Sequence, residues 1–328
     1  SNPFSAKPGG FITGAGHGST IADRYGNWWH ASTMRISVNY DFERRVGLFP
    51  AGFDKDGVLY CNQNFADYPH RIPAGKFDAA SQQPEWMLLS YKKPVTASST
   101  AEGSSPALAV NEDCRSWWSA AGTEPGEWLC VDLGKESDIR AIQVNMADEK
   151  LVVDFPADSY GDTRKTRHIE TRPQISHYTV ETSVNGADWT IRETVARECS
   201  NGYFEFADGI RARYVRVTGG ELPYGQALRI SGLRVFGNGE GAKPAQAEAA
   251  GIRVDALDAK IIWQHIENAQ GCNIRYGIAP DKLYLSWLVY DADEVTLSTL
   301  TAGQEYYICV DSFNENGITP GKTFKLEG

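Results

Sequence analysis

The sequence predicts an all-β protein, and three observations carry that prediction. Short runs of alternating or β-branched residues, bounded by Gly, Asn and Asp, recur along the chain. Val184-Asn-Gly-Ala-Asp-Trp189 separates two such runs, and Asn-Gly accepts the positive φ angles of a tight hairpin turn. No long stretch repeats its apolar residues at the spacing of an amphipathic helix. The 328 residues, at about 150 per domain, suggest two or three domains. No uninterrupted apolar run approaches the roughly 18 residues of a membrane helix. With 32 basic and 42 acidic residues the net charge is -10, which argues against general affinity for nucleic acid or an anionic membrane surface.

The first segment, residues 1–90, holds 8 basic and 8 acidic groups and is neutral, whereas the remaining chain carries the whole net charge. Gly14-Ala-Gly-His-Gly-Ser19 is glycine-rich, but no strand-then-helix context supports a phosphate loop. Asp23-Arg-Tyr-Gly-Asn27 reads as a turn into the strand Trp28–Ile36; Arg45–Phe53 is a second strand, and Asp54-Lys-Asp-Gly57 turns into Val58–Cys61. That is one antiparallel meander, the size of a partial β-propeller blade. With Gly16-His17-Gly18-Ser19, Gly26-Asn-Trp-Trp29 and Phe53-Asp54-x-Asp56-Gly57, the segment resembles the C-terminal remnant of the five-bladed propeller of family 43 glycoside hydrolases. The resemblance implies that His17 lines the propeller cavity; the alternative is that it only packs in a glycine-rich loop. Glycoside hydrolysis needs two placed carboxylates, and the family takes its catalytic ones from earlier blades. No catalytic residue is therefore expected here. Asp23, Asp54 and Asp56 are read as turn residues. The segment is expected to pack on the domain that follows.

In residues 91–240, strands are expected at Trp128–Leu133, Ile139–Met146, Tyr178–Ser183, Tyr203–Phe206, Tyr214–Thr218 and Leu233–Phe236. Together with Pro106–Val110, Asn111-Glu-Asp-Cys-Arg-Ser-Trp-Trp118 and Gly186-Ala-Asp-Trp189, these runs resemble a discoidin, or factor 5/8 type C, domain. That jelly-roll β-sandwich is shared by family 32 carbohydrate-binding modules. The resemblance implies a glycan ligand, bound by loops at one end of the sandwich. It also implies a structural calcium held by Asn111, Asp113 and Ser116. Against the ion, Asn replaces one carboxylate and Ser231-Gly232 stands where another often occurs; an unmetallated turn is the alternative. The connection from Ala147 to Ser176, about 30 residues, has the length of a functional or disordered loop. Within it Tyr160, Arg164, Arg167 and His168 offer an aromatic face and donors for sugar hydroxyls; packing on the first segment is the alternative.

Residues 241–250 read as a linker of small and polar side chains. Residues 251–328 alternate strand and turn, and the strand residue Trp263, the corner Leu300-x-x-Gly303-x-x-Tyr306 and the turn before the last strand resemble a fibronectin type III β-sandwich. Trp263 and Tyr306 are expected in its core, and the domain is read as a spacer. The six cysteines are scattered singly without a CxxC pair, so buried thiols are expected and not a zinc or redox site.

Together the resemblances imply the accessory C-terminal region of a secreted bacterial glycoside hydrolase of plant or host glycans, located outside the cell, in the periplasm or on the cell surface. Its partners would be a glycan and the missing N-terminal propeller blades, with no nucleic acid and no membrane insertion. The chain alone is expected to be inactive. An adhesion or structural scaffold module, binding protein or only rigidifying an assembly, is the alternative. The opening Ser-Asn-Pro-Phe, with no initiator Met and no secretory signal, is read as a cut in a longer chain.

Overall fold

The computed structural model describes residues 4–35, 44–147, 173–198, 201–298 and 300–328. Among them, regular structure is β-strand apart from three short 3-10 turns, so the fold is all-β. No helix among the described residues is long and apolar enough to cross a membrane. The chain divides into two compact units. Among the described residues, one combines 4–35 and Arg44–Leu88 with Asn238–Gly328; the other is Leu89–Gly237. The first segment, expected to pack on the discoidin-like domain, shares a unit with the last segment, through side chains far apart in sequence.

The first segment forms a four-stranded antiparallel meander, Thr13–Ala22, Trp28–Arg35, Arg44–Phe53 and Leu59–Cys61, in chain order. Alternation gives the sheet two faces. On one face His30, Met34, Phe49, Ala51 and Cys61 are buried. Phe4, Ile12 and Ala66 pack against the cluster of Met34, Phe49 and Cys61. Phe4 meets the His30 ring edge-on at 4.8 Å. On the other face Ile21 pairs with Trp29, Ala31 with Leu48 and Thr33 with Val46; Ile21, Leu48 and Val46 are all exposed. Asp23 ties its turn together: its carboxylate accepts from the Asn27 and Tyr25 N–H groups and from the Trp29 indole. Burial works against its ionisation, but these donors hold its pKa down at about 2.

The last segment is a sandwich. A three-stranded sheet (Ala249–Arg253, Ala259–Trp263, Glu294–Leu297) shares one apolar core with a five-stranded sheet built on Leu285–Tyr290, Gly271–Gly277 and Tyr307–Asn314. Trp263 and Tyr306 are buried in that core as expected, and the Thr301 N–H donates to the Tyr306 hydroxyl at 3.1 Å. The stretch read as a linker is strapped along this sandwich. Its carbonyls at Ala242, Pro244 and Ala245 accept from Asn314, Thr319 and Ser312, and the Gly241 N–H donates to Asn316.

The second unit is organised by two long strands, Trp128–Met146 and Gly202–Gly219, flanked by Ser176–Ser183, Thr190–Arg197 and Arg229–Asn238. The sequence breakers Gly134 and Asp208-Gly209 do not end these strands, because register shifts between Glu205 and Ile210 and between Ala212 and Tyr214 absorb the irregular residues as bulges. Pairs expected as separate strands therefore run on as one. The Asn185-Gly186 turn joins Ser176–Ser183 to Thr190–Arg197, with Gly186 at φ +77°. The core centres on the fully buried Trp118 with Leu129, Val131, Ile139, Ile142, Val180 and Val217. Cys61, Cys114, Cys130, Cys272 and Cys309 are buried free thiols.

Candidate functional site

The discoidin-like unit carries a groove of about 580 Å³, within the size range of small-ligand sites. The sequence Arg115-Ser-Trp-Trp-Ser119 builds it. Trp118 goes inward, its indole N–H shared between the Ser99 carbonyl and the Thr100 hydroxyl, each at 3.2 Å. Trp117, just before the two-residue strand Trp118–Ser119, is half-buried and lines the groove with Glu102, Ser104, Leu108, Thr123 and Arg229. Ser104 fixes the wall: its hydroxyl accepts from the Ser119 N–H at 2.9 Å and donates to the Trp117 carbonyl at 3.3 Å. Arg229 lies opposite Ser119 in the strand ladder. The Arg229 carbonyl accepts from the Ala147 N–H at 3.1 Å, and Ala147 is the last described residue before the long connection. The groove thus lies where that connection is rooted.

Tyr160, Arg164, Arg167 and His168 fall on the connection itself and lie outside the described residues. His17 is exposed on the first strand of the meander, at φ +48°, where the strand register shifts. The sequence reading missed Trp117 and Arg229. The adjacent Trp-Trp pair was the available signal, since Trp118 is fully buried and Trp117 only half-buried.

Asn111, Asp113 and Ser116 are brought together, though they bond chiefly to one another and to Arg115. Asn111 donates to the Ser116 hydroxyl at 2.7 Å and accepts from the Asp113 N–H at 2.9 Å. Asp113 accepts from the Arg115 backbone and guanidinium at 3.0 and 3.2 Å. The neighbouring Glu112, at φ +63°, turns into the core and holds Arg234 by two bonds of 2.9 and 2.8 Å. Gln143 accepts a third bond from Arg234 at 2.8 Å, and the guanidinium lies over the Phe236 ring. A calcium ion takes six to eight oxygens, with carboxylates prominent among them. This loop offers it one carboxylate that already receives Arg115, so the donor set fits the ion poorly.

A family model described as a NedA-like, galactose-binding domain of the F5/8 type C group matches residues 108–217. The middle of this chain is a discoidin-like, galactose-binding-like domain. Among solved structures, the chain is similar to chitosan-binding module 1 of a Paenibacillus sp. IK-5 chitosanase/glucanase, with 20% identity over 46% of this chain and 99% of that one, TM-score 0.36. It is similar to the family 32 module of C. perfringens NanJ, solved with galactose, at 15% identity over 46% and 99%, TM-score 0.35. A glycoside hydrolase aligns over 69% of this chain and 47% of its own, at 16% identity and TM-score 0.34. No curated protein matches the chain.

Proposed function

We propose that the discoidin-like domain binds the end of a glycan in the groove between Trp117 and Arg229, as part of an accessory region of a secreted bacterial glycoside hydrolase. The observation that carries this reading is a groove of sugar-binding size in a segment that matches a galactose-binding family. A half-buried indole offers an apolar platform for the C–H face of a pyranose, while Arg229 and the serine hydroxyls offer partners for its O–H groups. Tyr160, Arg164, Arg167 and His168 would complete the site from the loop rooted beside Arg229.

The first segment is proposed as the last blade of a family 43-like propeller. Support comes from its four-stranded meander and from the exposed apolar row Ile21, Leu48 and Val46, which a neighbouring blade would cover. In that arrangement His17 would face the central cavity, and the catalytic carboxylates would come from the other blades. The last segment is proposed as a fibronectin type III domain, supported by its three-plus-five sheets and its buried corner tyrosine. A glycan array probed with the full chain tests the binding claim. Galactosides, fucosides or arabinosides should give signal that free galactose competes away. No signal at millimolar sugar would overturn the claim and leave the adhesion or scaffold reading.

A further inference from the structure

We infer that the galactose-binding-like domain is a guest inserted into one host body, and that the last segment is the structural other half of the first segment and no spacer. The host is discontinuous in sequence, ending at Leu88 and resuming at Asn238, and its two parts meet through three kinds of contact.

The apolar contact is aromatic. Phe65 and Tyr68 meet Phe313 edge-on at 5.1 and 6.4 Å, Tyr290 approaches the same ring at 5.5 Å, and the Tyr68 and Tyr290 hydroxyls are bonded at 2.9 Å. Phe65 is 1% exposed and Phe313 0%. A second contact stacks Tyr60 on Tyr284 at 4.8 Å, and the Tyr284 hydroxyl donates to Asp54 at 2.8 Å. The third is a reciprocal charge pattern: Lys282 reaches Asp54 at 2.9 Å and Asp56 at 2.6 Å, while Lys55 reaches Asp281 at 2.7 Å. Space is tight as well, since a Cβ on Gly9 would lie 2.1 Å from the Leu288 carbonyl oxygen. A spacer tethered by a flexible linker would turn polar side chains outward. Here buried aromatic rings from both parts face one another.

The guest meets the geometric condition for insertion. Its entry and exit strands are adjacent: the Leu89 N–H donates to the Val235 carbonyl at 2.8 Å, and a Cβ on Gly237 would lie 2.9 Å from a Leu89 methyl. Domains with neighbouring ends are the ones that tolerate insertion and removal.

Native-state hydrogen exchange on the full chain tests this, because exchange reports local unfolding segment by segment. In Phe313→Ala, and in the milder Lys282→Ala, exchange should rise at least tenfold in Trp28–Arg35 and Arg44–Phe53 as well as in the last segment. Strands Trp128–Met146 and Gly202–Gly219 should be unchanged. Faster exchange confined to residues 238–328 in both variants would overturn the inference. Limited proteolysis of the full chain should clear residues 4–88 and 238–328 at one common rate. Rapid loss of residues 4–88 with residues 238–328 left intact would contradict it.

Discussion

The discoidin-like domain and the first segment are both built from antiparallel strands with alternating side chains, and they end in different conditions. In the discoidin-like domain, inward side chains from many strands close on Trp118 and leave one continuous core. The first segment is a single sheet. It covers Met34 and Phe49 with its own N-terminal residues, but leaves Ile21, Val46 and Leu48 exposed at 68%, 79% and 53%. Alternation alone creates two faces, and only a second layer turns an apolar face into a core. The first is thus self-sufficient, and the second depends on partners.

The largest expected effect tests that independence. Glu112→Ala leaves the Arg234 guanidinium, 1% exposed, buried without its carboxylate. Breaking a buried pair from one side costs about 3–5 kcal/mol. Denaturant unfolding followed separately for each unit should show this loss in the discoidin-like domain only. An equal shift in the first and last segments would mean that the two units unfold together.

A smaller effect concerns the host body and pH. Lys282 holds the Asp54 carboxyl well below the ordinary carboxylate range, against burial and with help from the Val58 N–H, the Tyr284 hydroxyl and the Asp56 N–H. The folded pKa lies below the unfolded value of about 3.9. Its contribution is therefore complete above that value and is lost as pH falls through the folded pKa. Asp54→Asn should lower host stability at pH 7 and flatten its loss between about pH 4 and pH 2. Equal acid sensitivity of the variant and the parent chain would remove Asp54 from the account. The smallest effect is expected for Tyr306→Phe, which takes away the acceptor of the Thr301 N–H and should cost about 1 kcal/mol. Thermal unfolding of the host body measures it.

Asp54 also shows what the sequence could and could not reveal. One carboxylate oxygen accepts from the Asp56 and Val58 N–H groups, the turn role legible from Asp-x-Asp-Gly. Its other oxygen receives Lys282 and Tyr284, more than two hundred residues away, and no local pattern encodes that pairing. The same division runs through the fold. The Asn-Gly hairpin, the buried cysteines and the inward Trp263 and Tyr306 follow from local chemistry. The partnership of first and last segments depends on contacts that only folding brings together. In the candidate site, Trp117 was signalled by the Trp-Trp pair, but Arg229 joins it through strand pairing with Ser119, more than a hundred residues earlier. The strands that run through Gly134 and Gly209 were hidden because a bulge and a turn share the same residues.

Calorimetric titration of the full chain and its Trp117→Ala variant with galactose tests the central claim most directly. Saturable binding by the parent chain, weakened at least tenfold in the variant, is the predicted result; about 1.4 kcal/mol accompanies each factor of ten. Equal affinity in the two chains, or no heat from the parent chain at millimolar galactose, would contradict it.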